Sequence, residues 1–158
     1  MKLVISQAKP NPTGKDRPPF GSILPFQLAA EWIDITNSDN ASINLNGLQI
    51  YNLSYTNGTA QWRIVREFNL GNKCMLPPGK TVRLHSGKEI STNTMRTEDQ
   101  LGTNYHLFTE YNNYIWNNKQ IDRPCIFNPS TKATLDVTQY NPPVPDGKIL
   151  KRYGDFLI

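Results

Sequence analysis

Short stretches in which apolar and polar residues alternate recur along the chain, and clusters of Asn, Gly and Pro separate them. In Glu31–Asn37, for example, Ile33 and Ile35 fall on one side of an extended chain, and Asp34 and Thr36 fall on the other. Such alternation is typical of β-strands, and no stretch shows a convincing 3.6-residue apolar period. The pattern predicts eight or nine short strands, with cores at Lys2–Ala8, Glu31–Asn37, Ile43–Leu45, Leu48–Tyr51, Gln61–Phe68, Thr81–His85, Tyr114–Trp116, Cys125–Phe127 and Ala133–Val137.

Turn residues divide these strands. Asn-Gly pairs favour tight turns because both residues tolerate positive φ, and strands do not run through Pro-Pro-Gly. We therefore expect turns at Asn46–Gly47, Asn57–Gly58, Pro77–Gly79 and Asn128–Thr131. The proline-rich segment Pro10–Pro25 and the polar residues 86–103 are predicted to be long loops.

Many short strands at regular spacing predict an all-β chain folded as a β-sandwich. The 158 residues are enough for one domain. We place this domain at residues 1–140. Residues 141–147 read as a stiff proline-rich linker, and Lys148–Ile158 as a short basic and apolar tail.

The composition argues against a disordered chain and against a membrane-spanning protein. With 37% apolar and 19% charged residues the chain is not of the disordered type, and no apolar run approaches the length of a membrane span. No signal peptide is visible, so a cytoplasmic location is favoured. Cys74 and Cys125 are 51 positions apart without metal-ligand spacing. They are interpreted as packing residues, with a disulfide as the alternative in an oxidising compartment.

Four segments, in this order, resemble the lamin-tail domain family, with bacterial-type members as the nearest likeness. They are Asn11–Arg17, Glu31–Asn37 together with Leu45–Ile50, Leu76–Gly87, and Ile115–Lys119 leading to Cys125–Phe127. In the family, the second of these is a strand, a turn and a hairpin. The resemblance spans roughly residues 2–140. It implies an immunoglobulin-like β-sandwich that acts as a non-catalytic interaction module.

Arg63 is the first candidate binding residue. The run Trp62-Arg63-Ile64 resembles the aromatic–Arg–apolar strand of nuclear lamin tails, which implies a basic patch for DNA or partner binding. Alternation predicts an outward Arg63 between inward Trp62 and Ile64. Arg66, Lys73 and Arg83 join the patch if neighbouring strands place them on the same face, with Arg83 and His85 outward on their strand and Val82 and Leu84 inward. The alternative is an ordinary solvated arginine.

Further cations lie in the C-terminal segment. Lys148, Lys151 and Arg152 stand among apolar and aromatic residues. One interpretation is a tail that docks on a partner or an anionic surface. The other is a last strand that folds onto the protein's own sheet, or a frayed end.

The sequence contains no recognisable catalytic set. His85 and His106 are 21 positions apart, and no nucleophile motif, phosphate-binding loop or metal-binding loop is present. We therefore predict a protein that is not an enzyme and that needs no cofactor.

Two functions remain open. The first is binding to, or tethering on, a protein partner through an exposed face or sheet edge, since such edges can accept an added strand. The second is sequence-independent DNA binding by a basic face around Arg63. The net charge of +4 is spread along the chain, which argues against strong DNA binding. An exposed apolar face favours the protein partner, and a contiguous positive face favours nucleic acid.

Overall fold

The structure, a computed structural model, describes residues 2–16, 21–71 and 74–158. Strands dominate these residues, and the helical pieces are short. In chain order the elements are β1 (Leu3–Lys9), α1 (Pro25–Ala29), β2 (Trp32–Asn37), β3 (Ile43–Asn44), β4 (Gln49–Thr56), β5 (Thr59–Glu67), β6 (Met75–Leu76), β7 (Thr81–His85), a 3₁₀ turn (Thr92–Thr94), α2 (Thr97–Gln100), β8 (Tyr105–Phe108), β9 (Cys125–Asn128), β10 (Ala133–Val137), β11 (Leu150–Tyr153) and β12 (Phe156–Leu157).

The described strands form two larger sheets and one strand pair. The six-stranded sheet has the order β12-β11-β1-β2-β7-β8, the four-stranded sheet has the order β10-β9-β4-β5, and β3 pairs with β6. Neighbours are antiparallel except β7 and β8, which run parallel. The predicted all-β class is confirmed.

One hydrophobic cluster draws on both larger sheets. It contains Ile33 and Ile35 from β2, Ile50 from β4, Val65 from β5 and Ile126 from β9, each at most 1% exposed. Full burial of a side chain of this size stabilises the fold by roughly 1.5–3 kcal/mol. The face of each sheet that contributes to this cluster is called its inner face here, and the opposite face its outer face.

The β4–β5 hairpin is closed by the predicted Asn57–Gly58 turn, and Thr56 pairs with Thr59 across it. Both turn residues have positive φ, 50° and 78°, as a type I′ turn requires. The other Asn-Gly turn, Asn46–Gly47, joins β3 to β4 without pairing them, because β3 pairs with β6. The hairpin expected in Leu45–Ile50 is therefore absent.

Two predictions about the middle of the chain were wrong. Tyr114–Trp116 is buried or half-buried but irregular, because side chains satisfy its backbone. The Ile115 amide donates to Glu31 Oε1 at 2.6 Å, and its carbonyl accepts from Asn52 at 3.0 Å. Residues 86–103 are not a plain loop: they contain the 3₁₀ turn and α2, and β8 follows them.

The C-terminal segment adds two strands to the six-stranded sheet. β11 pairs with β1, and β12 pairs with β11. Leu150 and Leu157 are buried in the hydrophobic cluster. Of the two interpretations of this segment, the last strand that folds onto the protein's own sheet is the one the structure shows, while the domain boundary at residue 140 stays a prediction.

Candidate interaction surface

The outer face of the four-stranded sheet carries aromatic and apolar side chains. Because Ile50 and Ile126 point into the core, their strand neighbours Tyr51 and Phe127 point outward. Register then places Ile64 beside Tyr51, Trp62 beside Leu53, and Val137 beside Cys125 on the same side. Trp62 is 51% exposed, and Ile64 and Val137 are each 42% exposed. We call this surface the aromatic face, consisting of Tyr51, Trp62, Ile64, Phe127 and Val137.

A shallow pocket of about 440 Å³ opens in the aromatic face. The rings of Tyr51 and Phe127 form one wall and meet edge to face, with centroids 6.0 Å apart. Arg123 is exposed at the rim, where its Nε donates to Gln139 Oε1 at 3.0 Å. The lining residues are Tyr51, Trp62, Arg123, Cys125, Phe127, Thr134 and Val137.

Arg63 lies on the opposite, inner side of β5, so the predicted outward Arg63 between inward Trp62 and Ile64 was wrong. It pairs in register with Asn52, which is fully buried. Its Nε donates to Asn52 Oδ1 at 3.1 Å, and its Nη2 donates to the Ile115 carbonyl at 2.9 Å. The inner face at this end of the sheet is lined by polar acceptors, so it takes the arginine and leaves the tryptophan outside.

Arg63 is held by a chain of buried polar groups. Asn52 Nδ2 donates to Asp122 Oδ2 at 3.0 Å, and the other Asp122 oxygen accepts from the Leu53 amide at 2.8 Å. Burial raises the pKa of Asp122, although these hydrogen bonds act in the opposite direction. These hydrogen bonds hold the half-buried side chain of Arg63 in one orientation.

Arg66 lies on the same face as Arg63. A β-bulge in the β4–β5 ladder brings this about, since Arg63 faces Asn52 and Arg66 faces Ile50. Arg66 Nε is buried and has no hydrogen-bond partner among the described residues. The structure therefore brings these two predicted residues together at the edge of the sheet, and Lys73 lies outside the described residues.

Arg83 is outward on its strand, as predicted, but it does not share a face with Arg63 and is not part of this surface. It lies on β7 of the other sheet and is 2% exposed. Its Nε and Nη2 donate to the two oxygens of Asp34 at 2.7 and 2.9 Å. Its Cζ lies 3.5 Å from the ring centroid of Trp32. Residues 86–103 supply the cover, because Arg83 Nη1 donates to the carbonyls of Asp99 and Leu101.

The C-terminal cations lie on the six-stranded sheet or beside it. Arg152 forms a two-pronged ion pair with Asp136 of β10, at 2.8 and 3.1 Å, and also donates to the Ile5 carbonyl at 3.0 Å. It therefore ties the two larger sheets together. Lys148 and Lys151 are exposed near and on β11, in a different sheet from Arg63.

The buried His85 and the half-buried His106 form a pair on the outer face of the six-stranded sheet. His85 Nδ1 lies 2.6 Å from the Ala29 carbonyl, so this nitrogen carries the hydrogen. His85 Nε2 then accepts from His106 Nδ1 at 2.7 Å. Burial is the main reason that the pKa of His85 falls to about 3. His85 is therefore neutral at neutral pH, and it is fully buried.

The cysteines are thiols in this structure. Cys74 and Cys125 are both buried and unpaired. Burial, together with the nearby Asp136, raises the pKa of Cys125 to about 11. Among the described residues, no group of three or more His, Cys, Asp and Glu side chains could hold a metal ion. The chemistry that the aromatic face offers is burial of apolar surface and hydrogen bonding by Arg123.

Sequence reasoning missed most of the aromatic face. Tyr51, Phe127, Val137 and Arg123 were not singled out, and Trp62 was placed in the core. A usable signal existed in Leu48–Tyr51 and Gln61–Phe68, where apolar residues occupy both alternating positions. A strand that is apolar on both sides is either covered twice or exposes one side.

An all-β chain that leaves one aromatic sheet face open has the architecture of an interaction domain. Residues 1–142 match the family model described as Lamin Tail Domain, and the chain belongs to this family. The resemblance seen in the sequence is thereby confirmed. The family is one of non-enzymatic immunoglobulin-like domains. No curated protein matches the chain. None of the described helices is long and apolar enough to span a membrane.

Proposed function

We propose that this chain is a non-catalytic interaction module, an immunoglobulin-like β-sandwich that binds a protein partner through its aromatic face. The observation that carries this proposal is the position of Trp62, half exposed beside a pocket whose walls are Tyr51 and Phe127. Membership in the lamin-tail family supports an interaction or scaffold role.

The composition of the surface fits a protein partner. Tryptophan, tyrosine and arginine dominate the energetics of protein interfaces, and Trp62, Tyr51 and Arg123 all line the pocket. Covering the exposed half of a tryptophan removes roughly 100 Å² from water, which favours association by about 2.5 kcal/mol before the entropic costs of binding are subtracted. A few such anchors are enough for a specific interface.

The alternative of DNA binding gains no support from the arginines. Arg83 is buried against Asp34, and Arg63 already donates to Asn52 and Ile115. Of the three arginines suggested as a patch, only Arg63 and Arg66 share a face. This arrangement differs from the contiguous positive surface that a dedicated nucleic-acid-binding domain presents.

The test is capture of partners from the source cell with the immobilised protein, its Trp62→Ser variant and a Tyr153→Ser variant. Tyr153 is the matched control because it is 77% exposed and lies on β11 of the other sheet. We expect a set of proteins that is retained by wild type and Tyr153→Ser and lost with Trp62→Ser. Retention that is unchanged by Trp62→Ser, or lost equally in both variants, contradicts the proposal.

A further inference from the structure

One edge of the four-stranded sheet is long and open. The sheet order ends at β5, which has nine residues and pairs only with β4 among the described strands. Most of its residues are exposed or half-buried. By contrast, the outermost strands of the six-stranded sheet, β12 and β8, have two and four residues. A long uncovered edge strand is a template for another strand.

The backbone of β5 has groups available for such pairing. In a two-residue hairpin, the residues that flank the turn exchange hydrogen bonds, so before the bulge the pairing with β4 uses Thr59, Gln61 and Arg63. The amides and carbonyls of Ala60, Trp62 and Ile64 then point away from β4. None of these groups has a hydrogen-bond partner among the described residues.

The side chains of β5 differ between its outer and inner faces. On the outer side lie Trp62 and Ile64, which are apolar and exposed. On the inner side lie Arg63 and Arg66, two register positions apart because of the bulge. Arg66 makes no ion pair with any described residue, and its Nε is buried without a hydrogen-bond partner. The edge therefore carries a cation whose buried Nε lacks a hydrogen-bond partner among the described residues.

We propose that a protein partner supplies an extended segment that adds to β5 as a further strand, with acidic and apolar residues in alternation. Two carboxylates, separated by one residue, face Arg66 and Arg63, whose Nη1 makes no hydrogen bond with a described residue. The residue between them is apolar and packs beside Trp62 and Ile64. This inference rests on the proposed function, since it specifies how a protein partner binds.

A second copy of the chain fits the edge less well. If two β5 strands pair antiparallel about Trp62, Arg63 lies opposite Gln61 of the other copy, and Arg66 lies opposite Gly58. Neither residue supplies an anion. An acidic segment satisfies Arg66, because a guanidinium donates two parallel hydrogen bonds to a carboxylate. Charge complementarity thus selects the acidic peptide.

The probe is a capped, fluorescein-labelled peptide in which valine and glutamate alternate. Its control has the same composition in a repeated Glu-Glu-Val-Val order, so that no two glutamates are separated by one residue and placed on the same side of a strand. Fluorescence anisotropy measures the affinity of each peptide for the purified protein. We expect at least about tenfold tighter binding of the alternating peptide, because only it directs two carboxylates to the arginines.

Variants of the protein separate the charge contact from the backbone contact. Arg66→Glu should weaken binding at least about tenfold, whereas Lys132→Glu, an exposed cation at the far edge of the sheet, should not. Ala60→Pro removes one outward amide and should also weaken binding, while Ala60→Val keeps the amide and the affinity. Hydrogen exchange should slow at Ala60, Trp62 and Ile64 when the alternating peptide is bound.

Three results overturn the inference: no binding of the alternating peptide, equal affinity for both peptides, or a sedimentation-detected dimer that Ala60→Pro dissociates. The last result assigns the edge to a second copy. The proposed function is judged separately by the capture experiment. If Trp62→Ser abolishes capture while the alternating peptide fails, the aromatic face binds partners without strand addition. If the peptide binds but Trp62→Ser does not change capture, strand addition at β5 is supported and partner binding by the aromatic face is refuted.

Discussion

The outer face of one larger sheet is covered by the chain itself, whereas the outer face of the other is open to solvent. On the six-stranded sheet, residues 86–103 cover β2 and β7, and the space beneath them holds charged side chains. Lys9 Nζ lies 2.7 Å from Asp99 Oδ1, and Trp32 Nε1 donates to the same oxygen at 2.8 Å. On the four-stranded sheet, Trp62 and Ile64 face solvent.

This contrast shows that hydrophobicity alone does not decide which face a protein covers. The covered face carries charged side chains beside Trp32 and Phe108, and it is stabilised because these charges are paired, as in Asp34 with Arg83. Burial still raises the pKa values of Asp34 and Asp99, although their cationic partners lower them. The open face is apolar, and on our account a partner completes it.

The largest expected effect comes from breaking the covered face. Arg83→Met removes the cation that both oxygens of Asp34 contact. We expect the free energy of unfolding to fall by about 3–5 kcal/mol, because a buried carboxylate is left without its counter-charge. Urea denaturation measures this, and the double variant Arg83→Met with Asp34→Leu should recover most of the loss. A loss below about 1 kcal/mol, typical of a surface pair, contradicts the account.

The buried His85 should make stability depend on pH. The folded pKa of His85, about 3, lies below the ordinary histidine value of 6.5, so the unfolded chain binds more protons between these values. Stability from this group is therefore present above pH 6.5 and is lost as the pH falls towards 3. The contribution of one proton is at most about 1.4 kcal/mol per pH unit.

Comparison of wild type with His85→Gln isolates this contribution from that of the carboxylates. The amide does not titrate, so the difference between the two stability profiles should slope across this pH window. Urea unfolding at a series of pH values supplies both profiles. Parallel profiles would mean that His85 is not buried as a neutral imidazole.

Two arginines offer a matched comparison of a paired and an unpaired cation. Arg152→Gln breaks the two-pronged contact with Asp136, and we expect a loss of about 1–2 kcal/mol in the free energy of unfolding. Arg66→Gln removes no ion pair with a described residue, and we expect a change within about 0.5 kcal/mol. Thermal and urea unfolding of both variants test this order, and the reverse order is the contradicting result.

A small effect on stability is also expected at the aromatic face. Trp62→Ser should lower the free energy of unfolding by less than about 1 kcal/mol, since about half of the side chain already contacts water. Trp32→Ala, at a position that is fully buried, should cost about 3–5 kcal/mol. Urea denaturation of the two variants gives the comparison. Equal losses would show that Trp62 is packed inside the protein.

Alternation and turn residues predicted most strand positions, because both are local properties. The Asn57–Gly58 turn and the strands around Ile33 and Ile35 follow directly from the residues. Which face of a strand points into the core depends on contacts with residues distant in sequence. Trp62 and Arg63 were reversed because Asn52 and the Ile115 carbonyl, distant in sequence, make the inner face polar there.

Two other features have the same origin. Ile115 and its neighbours look like a strand, but Glu31 and Asn52 take the backbone groups that a ladder would use. Arg83 is outward on its strand, as alternation predicts, but residues 86–103 fold over it and bury it. Both contacts join segments that are far apart along the chain, so no local pattern could indicate them.

Acrylamide quenching of tryptophan fluorescence tests the central claim, that one sheet face is covered by its own chain and the other is open to a partner. Trp32 and Trp116 are at most 1% exposed, whereas Trp62 is 51% exposed. We predict that wild type is readily quenched and that Trp62→Phe loses the accessible component. If Trp62→Phe leaves quenching unchanged, the aromatic face is not open, and the account is wrong.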